Sequence, residues 1–267
     1  MSTAHIPRVT VLGAGFAGLE LCTLLSEALG ERVQVTLIDE NDAFVFGYSK
    51  LDVMFGRTVL DAVRLPYERL CKPGVRWVRE SVRHIDPETR RVTTDAGVHE
   101  ADYLVVALGA EYAMDATPGL ADATEFYSVA GANRLREILP TFDRGHALIG
   151  VCGAPYKCPP APSECALMLH DLLLSRGVRA QCEITLVLPL SSPVPPSPDT
   201  SRALEAAFAE RGIRFMPNRR VTAVDAAGRT PRWTTAARSP TTSSSAYPGT
   251  AHRRSCAPAS SRPTTAG

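Results

Sequence analysis

Near the start of the chain, Gly13-Ala14-Gly15-Phe16-Ala17-Gly18 has the spacing of a turn that receives a diphosphate. Gly13 permits the tight turn, Gly15 lets the backbone approach a pyrophosphate, and Gly18 lets helix and strand pack closely. Phe16 and Ala17 open the helix that follows, whose N-terminus offers free N–H groups and the positive end of a dipole. Asp39 and Glu40 end the next apolar run, at the distance where a carboxylate takes ribose hydroxyls; no Arg follows closely, which disfavours a 2′-phosphate. A lone glycine motif is weak. The apolar strand before it, the helix after it and the acid at the right distance together point to a dinucleotide, with Gly13, Gly15, Phe16, Ala17, Gly18, Asp39 and Glu40 as its contacts.

A second loop carries different chemistry. It reads Gly150-Val151-Cys152-Gly153-Ala154-Pro155-Tyr156-Lys157-Cys158-Pro159-Pro160-Ala161-Pro162-Ser163-Glu164. The glycine spacing that cradles a pyrophosphate is missing, and the prolines remove N–H donors, so nicotinamide binding is doubtful here. Cys158 stands just ahead of a helix N-terminus with Lys157 beside it, a setting that favours the thiolate. Glu164 is a candidate acid/base group, although an acid in a helix's first turn also simply suits the dipole.

These residues need elements to hold them. Val9 to Leu12 reads as a buried strand, Gly15 to Leu29 as a helix and Val33 to Asp39 as a second strand, one βαβ unit. Val75 to Asp86 and Arg90 to Thr94 read as a small antiparallel excursion turned at Asp86-Pro87-Glu88, and Asp102 to Leu108 as a strand ending in Gly109-Ala110. A second unit follows: strand His146 to Val151, helix Ser163 to Arg176, strand Glu183 to Leu188, a Ser/Pro loop from Pro189 to Pro198, helix Leu204 to Arg211 and strand Ile213 to Asp225. The expected fold is α/β, with two Rossmann-like parallel-sheet modules over residues 1–115 and 116–228 and a hinge between Gly109 and Tyr127.

On Gly13 to Gly18, Asp39, the turn Ile85-Asp86-Pro87-Glu88 and the strand Asp102 to Ala110, the chain resembles the FAD domain of two-dinucleotide flavoproteins, the pyridine nucleotide-disulfide oxidoreductase type. The resemblance implies FAD at the first glycine motif, with the region of Val82 helping to hold the adenine half and Ala107 and Gly109 close to the flavin's phosphates. Asn41 to Tyr48, with Phe44 and Phe46, would run from the ribose toward the ring, a stretch that fits core packing nearly as well. The string Cys158 to Glu164 is similar to a loop of sulfide:quinone oxidoreductases and flavocytochrome c sulfide dehydrogenases. There, a cysteine before a Pro-rich turn is a redox residue beside the flavin, working with a second cysteine from the C-terminal half. That implies oxidation of sulfide or a related sulfur nucleophile at Cys158, with electrons passing through FAD to a quinone or cytochrome. Two other readings stay open: an NAD(P)H-dependent reductase of the type II NADH dehydrogenase kind, and an inactive fragment lacking the Gly-Asp segment that such flavoproteins use on returning to the FAD domain.

A formal charge of +1, without basic blocks, gives no reason to expect nucleic acid or an anionic membrane as a standing partner. The seven cysteines show no C-x-x-C pair and no metal spacing, so no metal site is expected. Neither a secretory signal nor a membrane-spanning run is evident, which reads as cytoplasmic, with peripheral membrane attachment open. From about Arg229 the composition turns to Thr, Ser, Ala, Pro and Arg. Residues 229–267 then read either as a disordered tail or as an out-of-frame one: one base back, Ser239 and Ser243 to Ser245 all become apolar.

Overall fold

The computed structural model describes residues 5–154, 156–225, 230–235 and 251–252. These form two compact units: one holds 5–44, 64–111 and 252, the other 45–63, 112–154, 156–225, 230–235 and 251.

In the first unit, β1 (Arg8–Leu12), α1 (Phe16–Leu29) and β2 (Gln34–Asp39) form the expected βαβ turn. The parallel sheet places β1 between β2 and a strand at Tyr103–Val106, with Val75–Arg79 at the edge beyond β2. Val11, Leu12, Leu37 and Ile38 have no solvent exposure, as unbroken apolar runs covered on both faces require. One face packs on Cys22 and Tyr67, the other on Ile85 and Val92.

Val75 to Asp86 is not one arm of an antiparallel hairpin. Val75–Arg79, here β3, joins the parallel sheet, and Val82–Asp86, β4, pairs antiparallel with β5 (Arg91–Thr94), which in turn pairs with β6 (Val98–Glu100). The break falls at Glu80, whose N–H donates to the Asp39 carbonyl at 3.1 Å, and Ser81, whose N–H donates to Asp95 at 2.9 Å. Alternation alone cannot reveal which partner a strand takes. β7 (Tyr103–Val106) then returns beside β1.

The second unit begins with α2 (Ser49–Met54), a short helix that no apolar period marks in the sequence; α3 (Val129–Ile138) is equally unmarked. Ser128 caps α3 by accepting from the Gly131 N–H at 2.9 Å, while Glu125 accepts from the N–H groups of Tyr127 and Ser128 at 2.6 and 2.8 Å. A parallel sheet follows, β8 (Gly145–Gly150), β9 (Cys182–Val187) and β10 (Ile213–Met216), with α4 (Ala161–Ser175) and α5 (Pro198–Glu210) between its strands. Leu51 and Met54 of α2 share one buried cluster with Cys165, Ala166 and Leu169 of α4 and with Ile184 and Leu186 of β9.

Ile213 to Asp225 also divides. Pro217 lacks an N–H and Asn218 takes the left-handed region at φ +54°, so the chain turns and β11 (Arg219–Asp225) leaves the sheet. Thr230–Thr235, assigned by composition to the tail, forms β12, antiparallel to β11; its threonines and Trp233 carry strand propensity. Apart from it and Ala251–His252, the expected disorder or frame change over 229–267 lies outside the described residues.

Candidate functional site

The turn after β1 lies at the carboxyl end of the first unit's sheet, where open α/β sheets take ligands. Its three glycines have different tasks. At Gly13, φ is +96°, the N–H donates to the Ile38 carbonyl at 2.7 Å, and an added Cβ would stand 2.4 Å from the Ala107 carbonyl oxygen. A Cβ on Gly18 would stand 1.9 Å from the Gly13 oxygen, so helix and turn touch backbone to backbone. A Cβ on Gly15, the N-cap of α1, would meet nothing within 4 Å. Open space at the N-cap, no side-chain cap and no acid in the first turn are what a diphosphate needs from a helix start.

Asp39 turns back onto this loop. One carboxylate oxygen accepts from the Ala14 N–H at 2.7 Å, the other from the backbone and side-chain N–H groups of Asn41, both at 2.8 Å. A carboxylate has about four lone-pair positions, so the oxygen facing Ala14 keeps room for a hydroxyl. Glu40 is exposed and accepts from the Ser81 hydroxyl at 3.3 Å. Arg79, forty residues from the acid in sequence, stands opposite Asp39 in the β2–β3 register and donates to the Glu40 carbonyl at 3.1 Å. The local sequence has no Arg behind the acid; strand pairing supplies one.

No motif in the sequence singles out Tyr67. It is buried, its hydroxyl donates to the Ala14 carbonyl at 2.7 Å, and its ring lies 5.5 Å from Trp77. Burial, then the charge of Asp39, push its phenol above the ordinary tyrosine range, so it stays a donor. The only hint in the sequence is that a buried Tyr hydroxyl must find a partner. The other predicted contacts spread around the turn. Ala107 donates its N–H to the Leu12 carbonyl at 2.8 Å, Val82 is half-buried against Leu12 and Ile38, and Gly109 takes φ +70° with open space around it. Phe16 and Ala17 are exposed. Phe44 packs edge-on to Phe16 at 5.0 Å and joins the core, whereas Phe46 is exposed beside Tyr48.

In the second unit, the start of α4 offers little to a diphosphate. Pro160 and Pro162 have no N–H, and the Ala161 N–H is already bonded to the Cys158 carbonyl at 3.0 Å. Cys158 takes φ +54°, uncommon for a side chain of any size, and aromatic and charged groups surround it. The charge of Cys158 helps to raise the phenol of exposed Tyr48 above the ordinary tyrosine range, and the Tyr127 hydroxyl reaches the Cys158 carbonyl at 3.5 Å. The Tyr112 hydroxyl donates to the Tyr127 carbonyl at 3.1 Å, which also accepts from the Lys50 ammonium, and Lys157 sits 4.3 Å above the Tyr112 ring. Four of the seven tyrosines thus gather at one cysteine, although nothing in their spacing announces it.

The electrostatics follow from crowding. Burial and then the charges of Glu125 and Cys158 push the Tyr112 phenol up to about 12. Burial, then Lys157, lower the Lys50 ammonium, against the pull of Glu125 and Cys158. Glu164 is half-buried; burial and then Asp52 raise its carboxyl, while Arg57 pulls it back. Such a carboxyl holds a proton more readily than a solvated one. Among the described residues no helix is long and apolar enough to cross a membrane, and no cluster of His, Cys, Asp or Glu could hold a metal ion.

The family model of the pyridine nucleotide-disulphide oxidoreductases matches residues 7–242. The alternative NAD(P)H-ubiquinone oxidoreductase C1 of Arabidopsis thaliana is 27% identical over 208 residues, 70% of this chain and 40% of that protein. A type II NADH:quinone oxidoreductase of Staphylococcus saprophyticus is 34% identical over 131 residues, 48% of this chain and 33% of that protein. The sulfide:quinone oxidoreductase structure from Aquifex aeolicus superposes with a TM-score of 0.74 at 24% identity, covering 86% of this chain and 57% of that one. The chain therefore spans from a third to just over half of the length of these relatives. By the family match, which runs over most of its length, the chain belongs to the pyridine nucleotide-disulphide oxidoreductase family.

Proposed function

We propose that this chain is the dinucleotide-binding part of an FAD-dependent oxidoreductase that oxidises sulfide, or a related sulfur nucleophile, at Cys158 and delivers the electrons to a quinone. The observation that carries this reading is the contrast between the two helix starts. α1 opens with an uncapped glycine and an acid turned onto the loop, whereas α4 opens with prolines, a bonded amide and a cysteine among tyrosines and lysines.

FAD, when bound, supplies the two-electron oxidant. Gly13, Gly15 and the first amides of α1, at Phe16 and Ala17, would hold its diphosphate, Asp39 and Glu40 its ribose, Val82 the adenine side, and Ala107 and Gly109 the phosphates from the far wall. At Cys158, a thiolate and a hydrosulfide ion join through a new S–S bond; the S–H bond breaks, one proton leaves and two electrons are withdrawn, so a cysteine persulfide remains. Glu164, whose carboxylate burial and Asp52 make more basic, would take that proton. The quinone ends as quinol by gaining two electrons and two protons, at the membrane surface where it dissolves.

Anaerobic titration tests the reading. With FAD added to the chain, sulfide is expected to bleach the flavin absorbance faster than NADH, and Cys158→Ser to slow the sulfide reaction at least about tenfold. Faster bleaching by NADH would favour the second reading, nicotinamide as donor, which the names of the plant and staphylococcal relatives support.

A further inference from the structure

Between β3 and β4 the chain leaves the parallel sheet for the antiparallel one, and each residue from Arg79 to Ser81 ties back to the acid end of β2. The Arg79 side chain donates to the Glu40 carbonyl at 3.1 Å, the Glu80 N–H to the Asp39 carbonyl at 3.1 Å, and the Ser81 hydroxyl to the Glu40 carboxylate at 3.3 Å. Glu80 differs from its neighbours in where its side chain goes. Its carboxylate turns into the antiparallel sheet, where one oxygen accepts from the Thr94 hydroxyl of β5 at 2.7 Å and lies 2.6 Å from Nε2 of His99 on β6. A carboxylate can only accept, so that ring nitrogen carries the hydrogen. The Glu80 and His99 side chains are each 17% exposed, and a charge so nearly enclosed persists only where its partners are well placed.

We infer that Glu80 is a positioning residue for the ribose end of the dinucleotide site: clamped by Thr94 and His99, it fixes the crossing from Arg79 to Ser81 and, through it, the backbone of Asp39 and Glu40. The inference rests on the reading given above, in which Asp39 takes the ribose hydroxyls of FAD. β3 is the edge strand of its sheet, paired with β2 alone, and the end of an edge strand frays unless something outside the sheet holds it. The Glu80 clamp supplies that hold from the neighbouring sheet. Its precision matters because a hydroxyl must meet the Asp39 carboxylate to within about 0.5 Å for the bond to count, and that carboxylate is already aimed by Ala14 and Asn41. Burial alone would raise the Glu80 carboxyl, but the bonds from Thr94 and His99 bring it below the usual carboxylate range, so the clamp closes on an ionised group. The one other acid acting on it is Asp95, which is itself engaged by the Ser81 N–H at 2.9 Å.

The test is calorimetric titration of the full chain with two ligands, FAD and FAD lacking the 2′-hydroxyl of its adenosine ribose. Wild type is expected to bind FAD about tenfold more tightly than the deoxy analogue. In Glu80→Ala the affinity for FAD should fall about tenfold while that for the analogue changes by less than about twofold, so the preference disappears. Glu80→Gln keeps an oxygen for Thr94 and His99 and should restore most of the preference. His99→Phe leaves Glu80 with one donor fewer and should lose part of it, which gives a reading where Glu80→Ala folds poorly. A preference that survives in both Glu80→Ala and His99→Phe, or an equal loss for the two ligands, would overturn the inference and leave the ribose assignment standing. A wild type without any preference would overturn the ribose assignment itself, and the inference with it.

Discussion

Both units lead a parallel strand into a helix, but Gly13–Gly15 and residues 151–160 make that connection in opposite ways. The first is short, glycine-rich and pinned by Ile38, Asp39 and Tyr67, and it leaves its helix start open. The second is long and proline-rich; it blocks its helix start and presents a cysteine instead. The difference shows how one supersecondary frame serves two chemistries: what is exposed at the helix N-terminus, amide or thiol, follows from whether the turn is built of glycine or proline.

The sharpest way to break this comparison is to put side chains into the first turn. Gly18→Val and Gly15→Ser should behave oppositely. At Gly18 any Cβ meets the Gly13 oxygen, so urea denaturation should show a loss of about 3 kcal/mol or more. At Gly15 the space is open and Ser caps a helix well, so stability should move by less than about 0.5 kcal/mol. FAD affinity, read by fluorescence quenching, should nevertheless fall about tenfold. Equal affinity in Gly15→Ser would mean that the open N-cap holds no diphosphate.

Tyr67→Phe addresses the brace rather than the cradle. Leaving the Ala14 carbonyl without its donor should cost about 1–2 kcal/mol of stability, checked by the same denaturation. A value near zero would show that Asp39 alone orders the turn.

The smallest effect separates the helices by pH. Burial pushes the Cys22 thiol up to about 11 from its ordinary value of 9.0. Above pH 9 the unfolded chain loses this proton while the folded chain keeps it, so the unfolded state binds fewer protons and stability falls as pH rises from 9 toward 11. Cys22→Ala should remove on the order of 1–2 kcal/mol of that fall between about pH 8 and 10.5, read as a difference between the two pH profiles. Cys165 of α4, raised to about 12 by burial and then Glu164, should go on contributing in both proteins.

The first βαβ unit is legible because every part of it is local: apolar runs, glycine spacing and an acid at one fixed distance. The strand–helix–strand rhythm of the second unit is equally plain from His146 to Leu188. Less can be read where two segments of similar pattern compete for partners. Val75–Arg79 and Val82–Asp86 alternate alike, yet one joins the parallel sheet and the other a separate antiparallel one. Likewise α2 is too short to show a period, and its place in the second unit depends on where Leu51 and Met54 find a core.

By itself, then, the sequence determined the turn that can receive a diphosphate, because backbone freedom at Gly13 and Gly18, and the missing N–H of Pro160 and Pro162, are properties of single residues. Only the tertiary structure decided which distant groups complete each loop: Tyr67 at the glycine turn, Arg79 beside the acid, and Lys50 and Tyr127 around Cys158. Hydrogen bonds between residues tens of positions apart depend on strand pairing and core packing, and no local spacing encodes either.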